Sequence, residues 1–109
     1  MSRDAELLAG LSQTLDQIGQ VLEMGRDRYA RDPFIRLSLQ RLWISVGNLA
    51  EQYRLAAGLA DGAEPWTELY VYRGVLAHAL PDELDDTRVW EESNADLGRI
   101  RAAVAAARN

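Results

Sequence analysis

Apolar residues recur along this chain at helical spacing in four separate stretches. Leu7, Leu11, Leu15, Ile18 and Leu22 follow one another by steps of four, four, three and four, which places them on one helical face. The spacing predicts a first helix that ends between Tyr29 and Arg31. Asp32-Pro33 then reads as a helix start, because an Asp carboxylate accepts from the free N–H groups and Pro suits the first helical position. Ile35, Leu39, Leu42, Val46, Leu49 and Tyr53 alternate steps of four and three, a second helix that fades through Gly58 into Asp61-Gly62-Ala63. Glu64-Pro65 opens a third, from about Pro65 to Ala79, which Pro81 stops by disfavouring helical geometry at Leu80. Pro81-Asp82-Glu83 reads as a turn, and Asp85 or Asp86 as the cap of a fourth helix carrying Trp90, Ser93, Leu97, Ile100 and Val104. From Ala102 to Ala107 the chain is a good helix former with a weak core, so its end can fray.

No stretch reads as a strand, a long linker or an internal repeat. The pattern predicts an all-α fold, an antiparallel four-helix bundle forming one domain over residues 1–109. Trp43, Trp66 and Trp90 fall on helical stripes and read as core.

The third helix breaks the pattern. From Leu69 to Leu80 its only strongly polar members are Arg73 and His78. A helix that is apolar all round is expected to be buried all round. Three neighbours in a small bundle can hardly cover it, so part of it is expected to meet a second copy of the chain, making a homodimer. The alternative is that the first two helices wrap it within a monomer. Burying a guanidinium without partners is costly. Arg73 is therefore expected in a polar pocket, against an acid such as Glu68, or at the edge of a cleft. His78 sits in the last helical turn, followed by Asp82 and Glu83, and an imidazole is suited to moving protons. Five residues along a helix turn through about 500°, so Arg73 and His78 point roughly 140° apart. Either the long Arg bends toward His78, or each site takes groups from two subunits across a two-fold axis. Tyr70 and Tyr72 flank Arg73 and could stack on bases; packing is the other reading.

Charge and composition narrow the chemistry. The net charge is −5, with 12 basic residues, all Arg, against 17 acids. An acidic chain does not offer the broad basic face that duplex DNA needs, although a few converging Arg can hold a short stretch of RNA. There is no Cys, which excludes disulfides and thiolate metal sites. The single His cannot build a multi-His zinc site. Asp82, Glu83, Asp85 and Asp86 lack the ligand spacing of a calcium loop and read as a solvated turn plus helix cap. No metal or cofactor is expected. No apolar run approaches the roughly 20 residues that span a bilayer. Met1-Ser2-Arg3-Asp4-Ala5-Glu6 lacks the basic start and apolar block of a secretion signal, so the expected location is cytoplasmic.

Arg73-x4-His78 has the form of a known motif, Arg-x(4–6)-His, and its surroundings fit. Val46-Gly47-Asn48-Leu49-Ala50 is similar to an Ile-Gly-Glu-Ala segment. Pro65-Trp66-Thr67-Glu68-Leu69 leads into Tyr72-Arg73-Gly74-Val75-Leu76-Ala77-His78, like a Pro-Trp, then Arg-Asn, then a short apolar run ending in His. Asp86-Thr87-Arg88-Val89-Trp90 matches an acid followed three positions later by Val-Trp. Over about residues 5 to 104 the chain thus resembles the HepT-like branch of the HEPN superfamily, the toxin-type ribonucleases.

The resemblance implies a four-helix HEPN fold and a homodimer. It implies metal-independent endoribonuclease activity in a composite cleft where two Arg-x(4–6)-His motifs meet. His78 would serve as general base or acid at the ribose 2′-OH and the leaving oxygen, and Arg73 would hold the phosphate. Single-stranded or looped RNA would be the substrate. An MNT-type nucleotidyltransferase antitoxin would be the partner, and in some members it modifies the Tyr of a His-x-Tyr extension. This chain has Leu80 at that Tyr position and Gly74 where a polar residue often follows the motif Arg. Those two departures favour a second reading, a non-catalytic helical dimer that binds a nucleotidyltransferase.

Overall fold

The computed structural model describes residues 2–109. Their helices are α1 (Arg3–Glu23), α2 (Arg26–Arg31), α3 (Pro33–Ala56), α4 (Trp66–His78), a 3-10 turn at Pro81–Glu83, and α5 (Asp86–Arg108). The described residues contain no strand. Three helix starts follow the capping logic of the sequence. Ser2 Oγ accepts from the Ala5 N–H at 3.2 Å, Asp32 from Phe34 at 2.9 Å and Asp85 from Arg88 at 3.1 Å. Pro33 occupies the first turn of α3.

The expected first helix is in fact two. Gly25 has φ 92°, a left-handed conformation that breaks the helix after Glu23 and redirects the chain into α2. The break turns Tyr29 inward. Its ring lies 4.7 Å from that of Trp90, and its hydroxyl donates to the Asp86 carbonyl at 2.7 Å, tying α2 to the start of α5.

The long helices pack in opposite senses. Arg3 of α1 donates to Gln52 near the end of α3 at 2.8 Å. Gly19, late in α1, lies against Leu97 and Arg101, while Ser12 lies near Val104 and Arg108 of α5. Gly47 of α3 meets Leu69 and Arg73 of α4, whereas Leu37 lies near Leu76 and Ala79. The described residues therefore form an all-helical bundle of four long helices and one short one. At about 1.5 Å per residue α3 spans roughly 36 Å, most of the 41 Å long axis.

The core follows the predicted stripes. Leu11, Ile18, Leu39, Val46, Ala50 and Ile100 are fully buried, and all three Trp are buried. Trp43 Nε1–H donates to Ser93 Oγ at 2.8 Å, and Ser93 donates to the Val89 carbonyl at 2.6 Å. That chain explains the polar residue in the apolar stripe of α5, since a buried polar group needs a partner.

As expected of a helix that its neighbours can hardly cover, α4 is buried on part of its surface only. α4 packs chiefly on α3 and α5 on α1, while the Arg99–Glu68 ion pair joins α5 to α4. Trp66, Leu69 and Leu76 are buried, but Val71 is 61% exposed and Val75 54%. One chain covers one face of α4 and leaves an apolar crest open. No helix among the described residues is long and apolar enough to cross a membrane.

Candidate functional site

The candidate site is built on the seam between α3 and α4. Gly47 is buried in α3, and a Cβ placed there would lie 2.6 Å from the Leu69 carbonyl oxygen and closer still to Arg73 Cβ. Only glycine lets the two helices approach this far. The approach delivers the stem of Arg73 onto α3, where the next residue receives its head. Arg73 Nε–H donates to Asn48 Oδ1 at 2.8 Å.

Arg73 is half-buried, and its guanidinium carbon lies 5.8 Å from the centre of the Tyr70 ring. The sequence offered Glu68 as its acid, and the structure corrects this. Glu68 binds Arg99 of α5 instead, while Arg73 meets a neutral amide and an aromatic face. Among the described residues no carboxylate forms an ion pair with Arg73. Its remaining N–H donors have no partner among the described residues and suit an anionic oxygen.

His78 is the last residue of α4 and is exposed. Ala79 and Leu80 are already extended ahead of Pro81, the geometry that a following proline imposes on Leu80. The acidic turn beyond is occupied with its own structure. Glu83 accepts from the Leu80 N–H at 3.1 Å, Asp85 caps α5, and Asp86 takes Arg36 at 3.4 Å and Gln40 at 3.1 Å. No group of three or more potential metal ligands occurs among the described residues.

Arg73 and His78 sit on one helix but aim differently. Arg73 reaches back to α3, whereas His78 stands free at the exposed end, beyond Val71, Gly74 and Val75 along the crest. Tyr70 is exposed beside Arg73, whereas Tyr72 turns inward. Its ring packs edge-on to Trp43 at 6.2 Å, and its hydroxyl is buried without a hydrogen-bond partner among the described residues. Burial, and then the neighbouring Glu92, push the Tyr72 phenol up to about 12.

Two contributors carried no assigned role in the sequence, Gly47 as spacer and Asn48 as the arginine's acceptor. The signal was present in Val46-Gly47-Asn48, a glycine and an amide directly beside the apolar stripe of α3. Gly74 also reads differently in place. Beyond its chain neighbours and the backbone of its own helix, no atom of the described residues lies within 4 Å of a Cβ built there, so packing against other elements does not require glycine. Comparison with protein-family models, curated proteins and solved structures finds no match to this chain.

Proposed function

We propose that this chain is a metal-independent endoribonuclease of the HEPN type, the toxin of a HEPN/MNT-type pair, working as a homodimer in the cytoplasm. The observation that carries the reading is Arg73, a half-buried guanidinium held by Asn48 and paired with no acid among the described residues. It lies on the same helix as an exposed His78 and an uncovered apolar crest.

A second copy placed on the crest of α4 buries Val71 and Val75 and brings two such helices together. The composite cleft then holds two guanidinium–imidazole sets. Arg73 grips the non-bridging oxygens of a phosphodiester and offsets the charge that builds as phosphorus becomes five-coordinate. His78 accepts the proton of the ribose 2′-OH as its oxygen attacks phosphorus. The bond to the 5′-oxygen breaks, that oxygen gains a proton from an imidazolium, and a cyclic phosphate end remains. Tyr70, exposed beside Arg73, offers a stacking face for an unpaired base.

Purified protein incubated with single-stranded RNA in EDTA tests this. The parent is expected to cut, and Arg73→Ala and His78→Ala are each expected to lose about 100-fold or more in rate. Cleavage unchanged in both variants places the activity elsewhere. The same pair of variants separates toxic from harmless chains when expression is induced and growth followed.

The second reading is a non-catalytic dimer that engages a nucleotidyltransferase. Leu80, 62% exposed where a modifiable Tyr would stand, and Gly74 favour it. A parent protein that binds such a partner yet leaves RNA intact selects this reading over the first.

A further inference from the structure

We infer that the outward face of α3 is a binding track for single-stranded RNA, running from Arg73 past Arg41 to Phe34. The inference rests on the ribonuclease reading for the chemistry at Arg73, and it assigns the residues that hold the strand beyond the point of cutting.

Phe34, Arg41 and Asn48 follow one another along α3 at intervals of seven residues. Seven residues make two helical turns less about 20°, so the three side chains leave the helix on one stripe, at steps of about 10 Å. Asn48 is the point on that stripe where the Arg73 guanidinium is held, at 2.8 Å. The stripe therefore presents a ring, one guanidinium from α3 itself and a second brought across from α4. Leu37, 57% exposed, lies between the ring and Arg41. Phe34 is 77% exposed, more than any other large apolar side chain among the described residues. So open a ring adds little to the fold and is free to meet an outside surface.

Charge gives the occupant its sign. Arg36 of α3 is taken by Asp86 at 3.4 Å and by the carbonyls of Tyr29 and Ala30. Arg54 is taken by Glu51 at 2.6 Å and Asp61 at 3.1 Å. Arg41, the remaining arginine of the helix, is exposed and forms no ion pair or side-chain hydrogen bond among the described residues. With Phe34 and Leu37 it borders a shallow groove against α1 whose other polar members are Gln17, Gln20 and Ser38. No carboxylate among the described residues lines that groove, in a chain with 17 acids against 12 arginines. The nearest acid in sequence, Asp32, is turned to the α3 N-terminus as its cap. A polyanion repelled by most of an acidic chain is accepted here.

A guanidinium on the backbone and a flat ring under an unstacked base are two elements that hold a single strand without regard to sequence. Arg73 and Arg41 stand about 10 Å apart along the helix axis, the reach of about three stacked nucleotides at roughly 3.4 Å each. Arg41 thus takes a phosphate a few nucleotides from the one that is cut, and Phe34 stacks on a base farther out. A duplex keeps its bases paired inside and offers none to Phe34, which restricts the track to unpaired RNA. An apolar partner laid on the stripe would bury Arg41 without an acid to meet it.

Two RNAs and two variants of the full chain test this. A dinucleotide has a single phosphodiester, which can occupy only one arginine, whereas a strand of about twelve nucleotides reaches the whole stripe. Arg41→Gln and Phe34→Ala alter exposed side chains, and each is checked for an unchanged melt. On the long strand each variant is expected to raise KM about tenfold at unchanged kcat, while both cut the dinucleotide as the parent does. The long strand carrying 2′-O-methyl groups cannot attack its own phosphates, so its fluorescence anisotropy reads binding without cleavage. Arg41→Gln is expected to flatten the dependence of log K on log salt by about 0.7. A long-strand KM unchanged in both variants overturns the track and leaves the ribonuclease reading intact. A methylated strand held through Arg41 and Phe34 by a parent that cuts no RNA supports the track and counts against catalysis. Variants that lose activity on both RNAs alike would act through the fold, which overturns the track. Failure of the parent to bind the methylated strand, equal affinity for vesicles of anionic phospholipid, or self-association abolished by Phe34→Ala would each overturn it as well.

Discussion

Gly47 and Gly74 mark two faces of α4 that obey opposite rules. At Gly47 the neighbouring helix is so close that a single methyl group has nowhere to go, and at Gly74 no other described element comes within 4 Å of that same methyl. The first face positions a side chain by contact, since it fixes the stem of Arg73 and presents Asn48 to its head. The second is apolar, uncovered and smooth, a surface with no role inside one chain. One short helix thus combines a rigid mount and a free face, the arrangement that a site shared between two copies requires.

The largest expected effect comes from closing this contrast at its tight end. Gly47→Ala is expected to destabilise the chain by about 2–3 kcal/mol, because the new methyl meets backbone oxygen and cannot be accommodated by a flexible side chain alone. A urea midpoint reads the loss. A variant as stable as the parent shows that α4 can slide on α3, and the positioning of Arg73 by contact fails with it.

Next is the open face. Val75→Arg places a charge where the proposed second copy sits, with little consequence for a lone chain because Val75 is exposed. Sedimentation equilibrium is expected to show self-association weakened about 100-fold, roughly 2.7 kcal/mol, while the melt of the dilute chain moves by no more than about 0.5 kcal/mol. Unchanged self-association in this variant moves the dimer contact off the crest.

How much of this the chain itself disclosed depends on what kind of contact was involved. Periodicity located the stripes of α1, α3 and α5, since burial of a helical face depends on spacing alone, and Leu11, Val46 and Ile100 lie where spacing puts them. It also marked α4 as anomalous. Periodicity did not reveal the break at Gly25, because one glycine in a long apolar register leaves the pattern running through Tyr29. Nor did it reveal the partner of Arg73. Glu68 is near in sequence, but the side of α4 it occupies faces α5, and only the three-dimensional seam brings Asn48 across 25 positions.

The buried tyrosines of α2 and α4 give the fold a pH signature. Tyr29 and Tyr72 are both held up to about 12, chiefly by burial, which disfavours a phenolate. An unfolded tyrosine releases its proton near 10. Between those values the unfolded chain binds fewer protons than the folded one, so stability is complete below pH 10 and falls as pH rises toward 12. Tyr72→Phe is expected to remove part of that slope, read as melting temperature against pH. A slope unchanged by the substitution would mean that the Tyr72 hydroxyl reaches solvent.

The smallest effect tests the contrast from its open end. Gly74 lies inside a helix with free space around it, so Gly74→Ala should stabilise the isolated chain, by up to about 1 kcal/mol, through the backbone freedom that glycine loses on folding. In a dimer that packs crest to crest the same methyl enters the contact and holds the helices apart. The two effects separate by concentration. Melts of dilute protein are expected to show the gain, and melts of concentrated protein to show less of it, because the added methyl weakens association. A gain identical at every concentration would keep the crest of α4 exposed in the assembly, and the shared cleft would then need a different surface.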